Sequence, residues 1–259
     1  MLTSKRLRAI ADYVREGSRL ADIGSDHALL PVELVGRGTC PSAVAGEVND
    51  GPLEAARRGI AAAGLASSIE ARKGDGLEVL RPGEADTVTI AGMGGALIVS
   101  ILESGRVGGR LEGVSQLVLQ PNVGEELVRA WLLEHGWHLA GETILEEDGK
   151  VYELLNALRP AEGQAPNEEL YGGEPLLPGL SAEEDRKLKL RMGPYLTRRP
   201  SEAFALKWSS ELRKLRGIER QLERSDTEEA AARKRELAQV IARIEEVLEC
   251  MPTDMSSRS

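Results

Sequence analysis

Over residues 1 to about 160, apolar positions fall into short runs separated by stretches of helical period. Arg19–Ile23 reads as a first strand, and the GSDHALL segment that follows turns into a helix. Ser42–Val48 is a second strand. Asn49 or Asp50 can cap the next helix, with Pro52 in its first turn and Gly64 at its stop. Ser68–Arg72, Ala85–Ala91 and Gln116–Gln120 are three further strands, the last two followed by helical patterns at about 95–104 and 124–135. Strands alternating with helices predict right-handed crossovers and a mostly parallel, Rossmann-like sheet covered on both faces. After His135-Gly136 the rhythm changes: Trp137–Glu147 and Val151–Leu158 both alternate like strands and are joined by Asp148-Gly149, a strong hairpin turn signal. The α/β sheet is therefore expected to end in an antiparallel hairpin.

Residues 161–180 hold Pro166, Pro175 and Pro178 with several glycines, and read as a linker. Residues 181–250 show no strand signal. Ser181–Glu184 has the form of a capping box, and Gly193-Pro194 ends its helix. Pro200-Ser201 opens another helix, with Leu212, Leu215, Ile218 and Leu222 at helical spacing. Ser225–Glu228 is a second capping-box candidate, and Leu237, Val240, Ile241, Ile244, Val247 and Leu248 form an apolar stripe after it. Two such helices with a short turn predict an antiparallel, coiled-coil-like helical hairpin as a C-terminal domain, with 251–259 a disordered tail.

Composition narrows the class. The chain has 259 residues, 33 basic and 42 acidic, for a formal charge of -9. No apolar run approaches the roughly 20 residues of a membrane helix, so no membrane association is expected. The charged N-terminal stretch lacks the apolar core of a secretory signal. Cys40 and Cys250 stand far apart and outside any ligand-spaced cluster, and there are three histidines, His27, His135 and His138. Neither a disulfide framework nor a metal centre is expected, and a cytoplasmic location is.

Four segments can carry chemistry. In LADIGSDH, Gly24 lets a ligand approach the strand end, and Asp22 can accept from a cationic ligand amine or fix the loop. Asp26 and His27 occupy what would be the phosphate approach of a dinucleotide fingerprint, so a pyrophosphate is disfavoured. S-adenosylmethionine, with no phosphate and two cationic groups, suits such carboxylates. Glu47, 25 residues beyond Asp22 at the second strand's end, can accept both hydroxyls of a ribose. Asp75 and Gly76 in KGDGL form either a simple turn or a contact to an adenine ring. AGMGG, ending the fourth strand, places Gly92, Gly94 and Gly95 where bare backbone leaves space for a planar base, and Met93 can pack against it. Asn122 can reach a base edge or cap the next helix.

LADIGSDHALLP, AVAGEVNDGP, RKGDGLEVL, TIAGMGG, LVLQPN and EEDGKVYEL together resemble the TrmK-type bacterial tRNA methyltransferases, which methylate N1 of adenine 22 of tRNA. The resemblance is dense over about 1–160 and looser in the helical tail. It implies a class I methyltransferase domain at 1–160 that uses S-adenosyl-L-methionine, with a helical domain at 181–250 that helps to hold tRNA. On the matching positions, Asp22, Gly24, Glu47, Asn49, Asp75, Gly76 and Gly92 would bind the cofactor. Met93, Gly94, Gly95 and Asn122 would meet the target base, and Asp26, with His27 second, would take its proton. The Asn/Asp-Pro-Pro-aromatic loop of many adenine-amino methyltransferases is absent. A different RNA or a non-RNA substrate, or a non-catalytic binding scaffold, is the alternative.

The charge distribution supports a polyanionic partner. Residues 186–224 hold 12 basic and 4 acidic side chains, a net +8 inside an acidic protein. Arg213, Lys214 and Arg216 are the expected tRNA contacts, at a site where phosphate binding explains the charge. The apolar stripe is equally compatible with self-association; a monomer is the expectation.

Overall fold

The computed structural model describes residues 4–161, 166–223 and 227–250. It divides into two compact units, 1–167 and 168–259. The first contains α1 (Lys5–Tyr13), β1 (Leu20–Ile23), α2 (Leu29–Gly36), β2 (Ala43–Glu47), α3 (Asp50–Ala62) and β3 (Ile69–Lys73). It continues with β4 (Thr87–Met93), α4 (Gly95–Val107), β5 (Gln116–Pro121), α5 (Glu125–Glu134), β6 (His138–Glu147) and β7 (Lys150–Leu158). The helices α6 (Pro166–Gly172), α7 (Ala182–Met192), α8 (Glu202–Leu222) and α9 (Glu228–Cys250) follow.

The seven strands form one sheet in the order β3-β2-β1-β4-β5-β7-β6. The first five are parallel, and β7 alone runs against its neighbours. The expected hairpin is present, with β7 inserted beside β5. β1 and β2 are buried along their whole length, as strands covered on both faces must be. Ile10 and Ala11 of α1, with Val14 just after it, join Leu30, Leu34, Ala56 and Ile60 of α2 and α3 in one apolar cluster against the sheet.

Pattern alone does not announce α1. Ser4 caps it by accepting from Leu7 N–H at 3.3 Å, and Glu147 at the end of β6 accepts from Ser4 Oγ at 2.8 Å and from the N–H groups of Lys5 and Arg6. A carboxylate on three donors at a helix N-terminus fixes where the helix begins.

The linker expectation needs correction. Within 161–180, Pro166–Gly172 is helical, because proline suits a first helical turn. Leu170, Tyr171 and Leu177 are buried. Asp185 accepts from Leu176 N–H at 2.7 Å, and Lys189 donates to Glu174 O at 3.0 Å and pairs with Asp185 at 2.7 Å. The proline-rich segment is thus fastened to α7 by a buried ion pair. Ser181 and Glu184 form the expected capping box, and Gly193 (φ 88°) ends the helix. α8 and α9 pair antiparallel, through Arg216 with Glu245 and Glu223 with Lys234. The Ser225 half of the second capping box and the 251–259 tail lie outside the described residues.

Two ion-pair groups hold the first unit's edges. Arg129 of α5, wholly buried, donates to Glu142 of β6 at 2.6 Å and Glu153 of β7 at 2.5 Å. Burial opposes its charge, and the two carboxylates outweigh that and hold its pKa above the ordinary value. Arg72 of β3 donates to both oxygens of Glu84 at 2.7 Å and to Val79 O at 2.9 Å, clasping the 74–84 segment.

Arg129→Met is expected to destabilise the fold by about 3–5 kcal/mol in denaturant titration, since two carboxylates stay buried without their cation. Replacing all three members by apolar residues is expected to recover most of that loss. The Arg72 hydrogen bonds hold the Glu84 carboxyl at about 2. Its stabilisation is therefore complete above the ordinary glutamate range near ~4.3 and is lost as pH falls towards about 2. Glu84→Gln should flatten that acid limb in unfolding measured from pH 6 to pH 2.

Candidate active site

The strand order reverses between β1 and β4, so the crossovers diverge there and leave a crevice at the carboxyl edge of the sheet. A cleft of about 520 Å³ opens at that edge. It brings together Asp22, Gly24 and Asp26 after β1, Glu47 and Asn49 after β2, Asp75 and Gly76 after β3, and Gly92 and Met93 at the end of β4. Leu29, Val48, Leu97 and Ile101 add apolar wall. Nine of the expected site residues thus converge from four strand ends.

Asp22 is buried, and both of its oxygens accept hydrogen bonds, from Ser25 Oγ at 2.5 Å and Thr89 Oγ1 at 2.6 Å. Burial pushes its carboxyl up, and those two bonds with the nearby Arg6 charge oppose the shift. Of the two sequence readings, loop fixation is the one its contacts display. Glu47, also buried, accepts through Oε1 from the N–H groups of Val48 and Asn49, both at 3.0 Å, and from Asn49 Nδ2 at 3.3 Å. Among the described residues its Oε2 has no hydrogen bond, so one oxygen is held and one is available to a ligand. Asn49 occupies the α3 cap position without a side-chain cap bond. Gly24 (φ 73°) could not carry a Cβ without meeting Met93 Cε at 2.3 Å, so the Met93 side chain reaches across to the β1 turn.

The turn after Asp26 is unusual. His27 (φ 59°) and Ala28 (φ 53°) are consecutive left-handed non-glycine residues, and the His27 carbonyl packs on Gly59 of α3. Such a costly conformation persists only where its surroundings enforce it. Asp26 lines the cleft, while the exposed His27 ring does not. His27 Nε2 is 3.4 Å from Asp26 Oδ1.

Several backbone groups of the AGMGG segment are engaged within the protein. β4 slips register against β5 at Gly92 (φ 79°). The buried Gln120 side chain of β5 replaces the lost ladder bond, accepting from Gly92 N–H at 3.1 Å. Asn122 Nδ2 donates to Gly92 O at 2.7 Å, and Asn122 N–H donates to Met93 O at 2.7 Å. Asn122 is therefore a loop tie, and Gly124 holds the α5 cap position. Gly95 is small for packing reasons: a Cβ there would lie 2.1 Å from Gly124 O. Neither Gly94, Gly95 nor Asn122 lines the cleft.

Two residues were not visible from motifs. Gln120 stands inside a strand that reads as core. Arg6 arrives from α1, lines the cleft and donates from Nη1 to Gln120 Oε1 at 2.6 Å. Ser4 ahead of a basic helical turn is the signal that would have placed it.

The basic segment of the second unit is partly neutralised locally. Lys214 pairs with Glu211 at 2.6 Å, and Arg216 pairs with Glu245. Arg213 and Arg220 are exposed seven residues apart, hence on one face of α8, and form no ion pair among the described residues. Lys214 points about 100° away from Arg213.

An open parallel sheet with one reversed strand, and an acidic rather than phosphate-cradling cleft at its switch point, define a Rossmann-like methyltransferase. The family model described as tRNA (adenine(22)-N(1))-methyltransferase matches residues 20–246. The Bacillus subtilis enzyme of that name is 41% identical over 247 residues, 95% of this chain and 97% of its own length. The crystal structure of B. subtilis TrmK superposes with a TM-score of 0.83 at 40% identity, over 95% of this chain and 98% of that one. A Streptococcus pneumoniae structure solved in complex with S-adenosyl-L-methionine gives 0.77 at 39% identity, over 95% and 100%. The chain belongs to the tRNA (adenine(22)-N(1))-methyltransferase family. Among the described residues no helix is long and apolar enough to cross a membrane.

Gln120→Met is expected to leave Gly92 N–H and Arg6 without their acceptor, lowering unfolding free energy by about 1–3 kcal/mol with the far-ultraviolet spectrum unchanged.

Proposed function

We propose that this chain binds S-adenosyl-L-methionine in the carboxylate-rich cleft and methylates N1 of adenine 22 of tRNA in the cytoplasm. The observation that carries this reading is the convergence of Asp22, Glu47 and Asp75 around one crevice, beside a glycine turn too tight for a Cβ. The residues suit the methyl donor. Glu47 Oε2 is available to ribose hydroxyls, and Asp75 with Gly76 borders the adenine end, where Val48 and Ile101 supply apolar faces. Gly24 and Gly92 flank the amino-acid end. When bound, S-adenosyl-L-methionine supplies an electrophilic methyl group on a sulfonium.

The chain's remaining work is positioning and proton handling. Adenine N1 carries an in-plane lone pair and needs no activation, so alignment and exclusion of water provide much of the acceleration. Freeing a stacked or paired adenine costs a few kcal/mol. N1 attack leaves the base cationic until the exocyclic amine loses a proton. Asp26, exposed at the cleft rim, stabilises that charge and accepts the proton, with His27 beside it as the next carrier. Met93 packs against the ring. Arg213, with Lys214 and Arg216 on its flanks, contributes to holding the tRNA backbone.

Incubation with labelled S-adenosyl-L-methionine and bulk bacterial tRNA is expected to yield labelled 1-methyladenosine on nucleoside analysis. Labelled 6-methyladenosine, or no label in RNA, would overturn the reading. Asp26→Ala is expected to keep cofactor affinity within ~10-fold while slowing single-turnover methylation by ~10²-fold or more. Unchanged turnover removes Asp26 from the mechanism.

A further inference from the structure

Six large apolar side chains of the first unit are exposed among the described residues. Leu29, Val48 and Leu97 belong to the cleft wall, and Val107 ends α4. The other two, Val123 (65% exposed) and Leu127 (47%), stand in the turn after β5 and the first turn of α5.

That turn is locked to the start of α4, beside the cleft. Gly95 N–H donates to Val123 O at 2.7 Å, and Asn122 N–H donates to Met93 O at 2.7 Å. The Gly124 carbonyl comes too close to Gly95 to admit a Cβ. Val123 Cγ2 packs over Gly94, 3.9 Å from where a Cβ would be. Gly94 holds the cap position of α4, and Leu97 follows one turn on, 52% exposed. Leu97, Val123 and Leu127 thus carry the apolar cleft wall outward over the first turns of two helices. Hydrogen bonds on both sides hold this ledge in place, so little order is lost when a ligand covers it.

The ledge's chemistry identifies its occupant. Its side chains hold no donor or acceptor, and the Val123 carbonyl is already engaged, so it reads no base edge and suits a flat apolar face. Glu125 and Glu126, in the first turn of α5, oppose a phosphate there. Three side chains fall far short of the ~800 Å² that each partner of a stable dimer buries. A base turned out of its stack leaves the face of its neighbour bare. That bare face is a flat apolar surface at the mouth of the cleft that receives the adenine.

We propose that Val123, with Leu97 and Leu127, packs against the nucleobase next to the target adenine and replaces the stacking which that neighbour loses when the adenine enters the cleft. The assignment rests on the adenine-N1 methylation reading given above.

Single-turnover methylation by the full chain tests it on three tRNA transcripts: one intact, and two with an abasic nucleotide on one or the other side of the target adenine. The double variant Val123→Ser, Leu127→Ser is expected to be slower on intact tRNA by ~10-fold, with S-adenosyl-L-methionine affinity within ~2-fold by calorimetry. On one abasic transcript its rate should come within ~2-fold of wild type, because the contact is then missing from both proteins. Val123→Leu, which keeps an apolar face, and Val107→Ser, away from the ledge, should both stay within ~2-fold of wild type on intact tRNA. The same loss on all three transcripts overturns the proposal and makes the ledge a support of the fold. Full activity of the double variant on intact tRNA overturns it as well, and so does a parallel loss of cofactor affinity. A double variant that sediments at half the wild-type mass overturns it in favour of a second copy of the chain. If the wild-type protein forms no 1-methyladenosine in intact tRNA, the methylation reading itself fails and the assignment falls with it.

Discussion

The side chain of Gln120 is the point on which the cleft's geometry depends. β4 leaves the parallel ladder at Gly92, beside the crevice, and leaving the ladder frees a backbone N–H and C=O of that residue from their strand partners. Side chains take the place of those partners. Gln120 Oε1 meets the N–H, and its Nε2 donates to Pro121 O at 2.9 Å and to Asn122 Oδ1 at 3.1 Å. Asn122 in turn meets the Gly92 carbonyl. Because Gln120 Oε1 also accepts from Arg6, one amide joins α1, β4, β5 and the turn before α5. The helix at the N-terminus is thus coupled to the site's floor through a residue inside a central strand.

This arrangement explains what was legible in the sequence. Strand positions followed from apolar runs, and the hairpin followed from Asp148-Gly149, where Asp148 (φ 53°) and Gly149 (φ 74°) both adopt the left-handed geometry the turn demands. Asp22, Gly24, Glu47 and Asp75 were legible because a parallel sheet puts functional residues at strand ends. Gln120 was not, because a polar residue in a buried strand looks the same whether it fills a ladder gap or faces a ligand. The partners of the AGMGG backbone were not legible for the same reason: glycines announce unusual angles but not which partner satisfies their amides. Arg6 escaped because its helix is held at the cleft by residues far away in sequence, among them Glu147, 141 positions on, and Gln120.

Asn122 and Gly95 carry a related lesson. Both lie in motifs that resemble the family, and the resemblance places both at the target base, although Asn122 also reads as a cap for the next helix. In the fold, Asn122 ties the loop, and Gly95 admits the close approach of the β5–α5 turn. Neither lines the cleft: Gly95 is buried under a close backbone approach, and the exposed Asn122 is engaged by its hydrogen bonds. A motif therefore contains two kinds of residue, those that face the ligand and those that hold the facing residues still. Only the local hydrogen-bond accounting separates them.

Charge organises the rest. An acidic cleft favours a cofactor that brings positive charge, and it also favours the cation that adenine becomes once N1 is methylated. The same field opposes RNA phosphates, whose attraction must come from elsewhere. Residues 186–224 concentrate positive charge in the second unit. Yet Lys187, Lys189, Lys214 and Arg216 are each matched by a nearby carboxylate. What remains for a polyanion is narrower than the count implies, centred on the exposed Arg213 and Arg220 face of α8 and on Arg198 and Arg199 ahead of it. These arginines, with planar multi-donor groups, are better suited to phosphates than lysines are. Electrostatics sets the two apart: an acidic cleft that suits a base and its cationic product repels the phosphates of an RNA backbone.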